Sequence, residues 1–149
     1  MFINKKQQLS KDILERGRVS SILNLEDRIT CLKKISYAIK NLSLELKNRE
    51  LLAFFYFLED TINIKSNNTE NFASSLPRGI VLNIPSSNIP MMPFYTWVPS
   101  FFCGNTNFVR LSRKSDIKFI SKVISKLDIV LGDLESQRQV FYSDDIDNK

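Results

Sequence analysis

Residues 79–114 read GIVLNIPSSNIPMMPFYTWVPSFFCGNTNFVRLSRK, and they determine what kind of fold the chain adopts. No charged residue occurs from Gly79 to Val109, whereas Arg110, Arg113 and Lys114 follow at once. The uncharged run exceeds the ~20 residues that span a bilayer. However, four prolines and four asparagines interrupt it, and these would break a membrane helix or leave polar groups in hydrocarbon. We therefore interpret the run as protein interior and expect no membrane span.

Two apolar segments of this run predict β-strands. Residues 80–82 with Ile84 form a short, nearly all-apolar segment, typical of a strand buried on both faces in a parallel sheet. Residues 107–111, NFVRL, form the second strand, and residues 140–142, VFY, indicate the start of a third. Because so few strands cannot cover their own edges and faces, we expect the chain to be a fragment of a larger protein.

Helices are predicted between these strands. Asn88 is a suitable helix cap, with Pro90 near the first helical position and Gly104 as the stop. After the second strand, Ser112 and Ser115 introduce another helix that runs through Leu127. Strand, helix, strand and helix at this spacing predict a β-α-β unit with a right-handed crossover, and hence an α/β fold with a parallel sheet.

The first half of the chain is predicted to be helical. From Leu25 to Leu46, apolar residues recur at steps of three and four, which is one face of an amphipathic helix. Residues 51–60, LLAFFYFLED, predict a second helix packed against the first, and residues 61–75 are polar and predict a loop or a short crossing segment. We divide the chain into an N-terminal helical segment, 1–76, and the start of a nucleotide-binding β-α-β domain, 77–149.

The composition excludes several classes of function. The chain has no histidine and only two cysteines, Cys31 and Cys103, without a paired spacing, so no metal site is predicted. Both cysteines are interpreted as small apolar residues of the structure, not as nucleophiles. The net charge of +5 is mostly dispersed, which argues against a nucleic-acid binder; that hypothesis would require salt-sensitive association with DNA or RNA. The polar N-terminus shows no secretory segment, so a cytoplasmic protein is expected.

Polar clusters follow both predicted strands. Residues 85–88, PSSN, come after the first strand, and residues 110–114, RLSRK, come after the second. Ligands of open α/β sheets bind at the carboxyl ends of the strands, so one ligand is expected to touch both clusters. Arginine after the second strand accommodates a 2′-phosphate, which favours NADP over NAD. The alternative is a solvated basic helix start. A GxGxxG motif is absent, which argues against a standard Rossmann dehydrogenase.

Four segments, in this order, resemble a known family. Residues 79–85, 88–90, 104–106 and 109–112 are similar to the N-terminal cofactor-binding half of the aldehyde dehydrogenase superfamily. They resemble in particular its acyl-CoA reductase branch, the LuxC-like enzymes that make long-chain aldehyde for bacterial bioluminescence. Ser87 stands where simple aldehyde oxidisers carry tryptophan, and the spacing to residue 104 is one residue shorter, so the resemblance favours the reductase branch. It implies a Rossmann-like partial sheet after the N-terminal helices.

The resemblance also implies roles for individual residues. Asn88 matches the asparagine whose side-chain amide stabilises the oxyanion formed at the reacting carbonyl, whereas a helix cap is the alternative from local sequence. Arg110 takes the place of the usual lysine that contacts the adenosine ribose or phosphate, and Ser112 matches a small hydroxyl residue. Arg113 stands where NAD-using relatives carry glutamate, which again implies NADP. The strand end, Ile84–Pro85, completes the implied cofactor contacts.

The implied activity is NADPH-dependent reduction of long-chain fatty acyl-CoA to fatty aldehyde through a cysteine thioester. The family's catalytic cysteine lies in a C-terminal domain that this chain does not contain, so the chain alone is expected to be inactive. The alternative is a non-catalytic cofactor-binding or interaction module derived from such an enzyme. Implied partners are acyl-CoA and, for assembly, a second copy of the chain or other fatty-acid reductase subunits.

Overall fold

The computed structural model describes residues 2–3, 23–67, 77–112 and 114–143. Helices occupy most of the first half, and a parallel sheet with two crossover helices forms the second. In chain order the elements are β1 (Phe2–Ile3), α1 (Leu25–Leu46), α2 (Arg49–Asn67), β2 (Ile80–Asn83), α3 (Met92–Phe102), β3 (Thr106–Leu111), α4 (Ile117–Ser136) and β4 (Gln139–Ser143).

Helices α1 and α2 form a hairpin whose ends are fixed by side-chain caps. The Asn24 side chain accepts a hydrogen bond from the Asp27 amide at 2.8 Å and so starts α1. Lys47 ends the helix in the left-handed conformation, with φ 49°. Asn48 then accepts from the Leu51 amide at 3.0 Å and starts α2. Because the connection is so short, the two helices pack side by side, as predicted.

The predicted loop over residues 61–75 is wrong for its first part, because α2 continues to Asn67. Ile62 lies one helical turn after Leu58, and both side chains are buried. Packing of Ile62 into the core therefore extends the helix through a stretch whose other residues are polar. Residues 68–76 lie outside the part of the chain that the structure describes.

The sheet has four parallel strands in the order β1-β4-β3-β2. Strand β4 (Gln139–Ser143) confirms the third strand indicated by residues 140–142, whereas β1 was not predicted. Side chains of β3 and β4 alternate between the two faces, as pleated strands require. The main core, shared with the helices, takes Val109, Leu111 and Phe141, and a second cluster takes Phe108, Val140 and Tyr142.

Strand β2 corrects the prediction of burial on both faces. On β3, side chains of both faces are buried, since Phe108 and Val109 are both fully buried. On β2, however, Ile80 is 41% and Leu82 53% exposed, and Ile84 just beyond the strand is 65% exposed. The reason is the position of β2 at the edge of the sheet. An apolar segment predicts a strand, but it does not reveal how many neighbours that strand has.

Helix α3 also starts later than predicted. Met91 is the N-cap residue, without a side-chain cap, and Pro93 occupies the first turn, where its missing N–H costs nothing. Asn88 and Pro90 therefore lie in the preceding turn, and Asn88 is not a helix cap. The predicted stop is correct, because the helix ends at Phe102 and Gly104 follows with φ +82°.

A buried polar network holds the amino ends of β3 and β4. Arg138 forms an ion pair with Glu135 at 3.1 Å, and donates to the Thr106 hydroxyl at 3.1 Å. Gln139 donates to Glu135 at 2.9 Å and accepts from the Trp97 indole at 2.8 Å. The network joins the end of α4, the sheet and α3, so it fixes the sheet against its crossover helices.

Candidate functional site

A cleft of about 450 Å³ opens at the carboxyl edge of the sheet, at the end opposite to the polar network. It lies between the segment that follows β2 and the segment that follows β3. Its lining residues are Ile84, Pro85, Ser86, Ser87, Arg110, Leu111, Ser112 and Lys114. Both polar clusters that the sequence placed at this edge therefore contribute to one cavity.

The parallel pairing of β2 and β3 explains why these residues meet. Asn83, the last residue of β2, is in register with Val109, so β3 extends two residues beyond β2 at the carboxyl edge. The Asn83 amide also donates to the Asn107 side chain at 3.1 Å, which ties the two strands together below the cleft. The backbone then leaves each strand in a polar turn, and the gap between the two turns is the cleft.

The positively charged side chains of the cleft lie on its β3 side. Arg110, the penultimate residue of β3, is exposed, whereas Leu111 is buried and anchors the strand end in the core. Ser112 is half-buried and its hydroxyl accepts a hydrogen bond from the Lys114 amide at 3.2 Å. Arg110 and Lys114 therefore line the cavity as two cations, and none of the described residues that line it is acidic.

The β2 side of the cleft is apolar at its start and polar beyond. Ile84 and Pro85 lead into two serines, Ser86 and Ser87, and the four line the cavity. The predicted contacts Ile84, Pro85, Arg110 and Ser112 are thus brought together. The fifth, Arg113, lies outside the described residues.

Asn88 lies just beyond the cleft lining, in the exposed turn that precedes α3. Its side-chain oxygen accepts a hydrogen bond from the Ser86 hydroxyl at 2.6 Å. This bond orients the amide group with the oxygen toward Ser86, and the amide nitrogen, which is the donor that an oxyanion needs, forms the other end of the same group. The turn therefore holds Asn88 one residue away from the cleft.

Four lining residues were not named as individual cofactor contacts, although all four belong to the two clusters that one ligand was expected to touch: Ser86, Ser87, Leu111 and Lys114. The sequence indicates these four residues only by their position, because each lies within a few residues of the carboxyl end of a strand. Residue chemistry alone singles out the arginines. The turn that places Lys114 in the cavity becomes visible only when the backbone hydrogen bonds are known.

Neither cysteine borders the cleft. Cys31 lies on α1, packed against the core, where burial raises the pKa of its thiol and Lys34 opposes that effect. Cys103 follows α3, before the amino end of β3, and the first four residues of that strand, roughly 13 Å at 3.3 Å per residue, lie between it and the lining residue Arg110. Within the described part of the chain, the cleft contains no thiol nucleophile.

Two further properties concern the described residues only. None of their helices combines the length and apolar character required to cross a lipid bilayer. Their acidic and sulfur-containing side chains also form no cluster of three or more with the proximity that a metal ion requires. The cleft thus offers cations, hydroxyls and backbone groups as its binding chemistry.

Comparison with protein families gives one match. The sequence matches the family "Acyl-CoA reductase (LuxC)" over residues 19–142. Comparison with curated proteins and with solved structures gave no significant match. The family match covers most of the chain, including α1 to α4, both sides of the cleft and most of β4. The chain therefore belongs to the acyl-CoA reductase (LuxC) family.

Proposed function

We propose that the chain is the cofactor-binding portion of an NADPH-dependent acyl-CoA reductase of the aldehyde dehydrogenase superfamily. The observation that carries this proposal is the cleft, which joins the turns after β2 and β3 in one cavity. Arg110 and Lys114 suit a phosphorylated nucleotide, because both are cations and the lining residues in the described part of the chain include no acidic side chain. Family membership supplies the acyl-CoA reductase class.

The proposed contacts follow the geometry of the cleft. Ile84 and Pro85 provide an apolar wall against which a nucleoside packs. Arg110 reaches the adenosine ribose or its phosphate from the end of β3, and the Ser112 hydroxyl lies in the same turn. Arg113, outside the described residues, remains a proposed contact from its position in the sequence.

In the proposed reaction, a cysteine thiolate attacks the thioester carbonyl of a long-chain acyl-CoA, and the CoA thiolate leaves. NADPH, when bound, supplies the hydride that reduces the resulting enzyme thioester, and the cysteine thiolate departs as the aldehyde forms. The Asn88 amide nitrogen is proposed to donate to the carbonyl oxygen while that atom carries negative charge. One such donor is typically worth ~2.7–4 kcal/mol of transition-state stabilisation.

The thiolate is proposed to come from polypeptide outside these 149 residues. This follows from the positions of Cys31 and Cys103, neither of which borders the cleft. The same observation favours a second candidate function, a non-catalytic cofactor-binding or interaction module. Both functions predict cofactor binding without turnover by this chain alone. Assembly with a second copy or with other fatty-acid reductase subunits, and a cytoplasmic location, belong to the same proposal.

Titration with NADPH, followed by nicotinamide fluorescence, tests the cofactor assignment. We expect saturable binding, and we expect Arg110→Ala to weaken it about tenfold, which corresponds to ~1.4 kcal/mol. The matched control is Lys122→Ala, which removes an exposed cation from α4 away from the cleft. Absence of binding at millimolar NADPH would rule out the cofactor assignment.

An activity assay tests the location of the nucleophile and separates the two candidate functions. The purified chain, given long-chain acyl-CoA and NADPH, is expected to form no aldehyde. Aldehyde formation by the chain alone would show that the nucleophile lies within it. The cysteine-bearing portion of another family member is then added to the chain. Aldehyde forms if the chain is a reductase portion, and no aldehyde forms if the chain is a non-catalytic module.

A further inference from the structure

Lys114 lines the cleft from the turn that joins β3 to α4. It is exposed and lies three residues after the last residue of β3. The family resemblance assigns roles to Arg110, Ser112 and Arg113, but none to Lys114. The sequence placed Lys114 in the cluster after β3, and the structure shows that it lines the cavity.

Two hydrogen bonds fix the backbone of this turn. The Ser115 amide donates to the Ser112 carbonyl at 3.0 Å. The Lys114 amide donates to the Ser112 hydroxyl at 3.2 Å. Because Ser112 itself lines the cleft, the Lys114 side chain starts from a position fixed relative to the cavity.

The carboxylate nearest in the sequence is occupied elsewhere. Asp116 is the N-cap of α4, and its side chain accepts a hydrogen bond from the Phe119 amide at 3.1 Å. It is not among the residues that line the cavity. Lys114 therefore lines the cleft, and among the described residues no acidic side chain lines it beside Lys114.

The 2′-phosphate distinguishes NADPH from NADH, and a second cation contributes to neutralising its charge. A phosphomonoester carries about −1.5 to −2 charges at neutral pH, which one arginine does not neutralise. Arg110 presents a planar fork at the end of β3, whereas the Lys114 ammonium is a compact charge on a flexible stem that reaches the phosphate from the turn. We propose that Lys114 selects NADPH over NADH by contacting the 2′-phosphate, an inference that rests on the proposed cofactor function of the cleft.

The experiment measures dissociation constants of the full chain for NADPH and NADH by fluorescence titration. Lys114→Gln is expected to weaken NADPH binding at least tenfold and to change NADH binding less than twofold. Lys114→Arg keeps the charge and should keep the preference within threefold. Lys118→Gln is the matched control, because it removes an exposed cation four residues away that does not line the cavity.

A second readout isolates the phosphate. The probe 2′,5′-ADP should bind more tightly than 5′-AMP, and its advantage should shrink below about pH 6, where the phosphomonoester takes up its second proton. In Lys114→Gln this advantage should be mostly lost. Arg113→Gln, tested in parallel, distinguishes the two neighbouring cations.

Several outcomes would overturn the role of Lys114. They are an equal loss of NADPH and NADH binding in Lys114→Gln, an unchanged preference, or loss of the preference in Arg113→Gln alone. Wild-type chain that binds NADPH and NADH equally well would refute the selectivity and leave the cofactor site intact. Wild-type chain that binds neither nucleotide would refute the cofactor function, and the role of Lys114 with it.

Discussion

Gly104 illustrates how one residue couples two parts of the molecule. It has φ +82°, and a Cβ atom there would overlap the guanidinium of Arg28. Arg28 is buried and donates to the Leu23 carbonyl at 2.9 Å, so its side chain has little room to retreat. Gly104→Ala is expected to reduce the free energy of unfolding by about 3 kcal/mol, from left-handed backbone strain plus a disturbed charged hydrogen bond. Urea denaturation measures this loss.

Gly79 provides the matched control for that substitution. It also has a positive φ, of 94°, but a Cβ atom there would meet no atom within 4 Å. Gly79→Ala should therefore cost only the backbone strain, ~1–2 kcal/mol. Equal losses in the two variants would show that the overlap with Arg28 contributes nothing.

At the same scale, the residues of the cleft were predictable to different degrees. Pro85, Arg110 and Ser112 lie in clusters that were placed together because the carboxyl ends of parallel strands share one edge of a sheet. Ile84 was implied only by the family resemblance. The start of α3 was mispredicted because Asn88 and Pro93 are both acceptable at a helix start, one as a cap and one in the first turn. Local preferences alone do not decide between two such starts.

At the scale of elements, periodic segments were predicted well and short ones were not. Helix α1 spans Leu25–Leu46, as its spacing of apolar residues indicated. Strand β1 has only two residues, too few to show a period, and it is defined by its pairing with β4. The exposure of β2 escaped prediction because residue type reflects the tendency to be buried, whereas burial depends on which neighbours are present.

The exposed apolar face of β2 predicts that the chain associates with itself. Ile80, Leu82 and Ile84 expose a row of apolar side chains on an edge strand that carries no charge. Edge strands of this kind pair with other chains unless a charged residue prevents it. Leu82→Lys is expected to reduce concentration-dependent association, measured by light scattering between 10 and 200 μM protein, roughly the range in which exposed strand edges promote aggregation.

Ile129→Lys is the control for this prediction. Ile129 is 77% exposed, but it lies on α4 rather than on a strand edge. It should change association little, although it adds the same charge. If both variants reduced association equally, net charge and not the edge of β2 would be responsible. Neither variant should lower stability by more than about 0.5 kcal/mol, as is usual for exposed sites.

For the whole molecule, the two ends of the sheet have different roles. The amino end is closed by buried side chains of Glu135, Arg138 and Gln139, each with hydrogen-bond partners. The carboxyl end is open and carries the cleft. Because the network fixes β3 and β4 at one end, the turn that leaves β3 at the other end starts from a defined strand position. Rigidity at one edge thus fixes the position of the cleft at the opposite edge.

Glu135→Gln tests the contribution of this network. Glu135 and Arg138 are only 4% and 5% exposed, so the substitution leaves a buried guanidinium without its carboxylate. We expect a loss of about 3–5 kcal/mol, measured in urea through Trp97, the only tryptophan, whose indole donates to Gln139 in the same network. Asp133→Asn removes an exposed carboxylate of the same helix and should cost little. A loss below 1 kcal/mol for Glu135→Gln, or one equal to that of Asp133→Asn, would show that the ion pair does not hold the sheet.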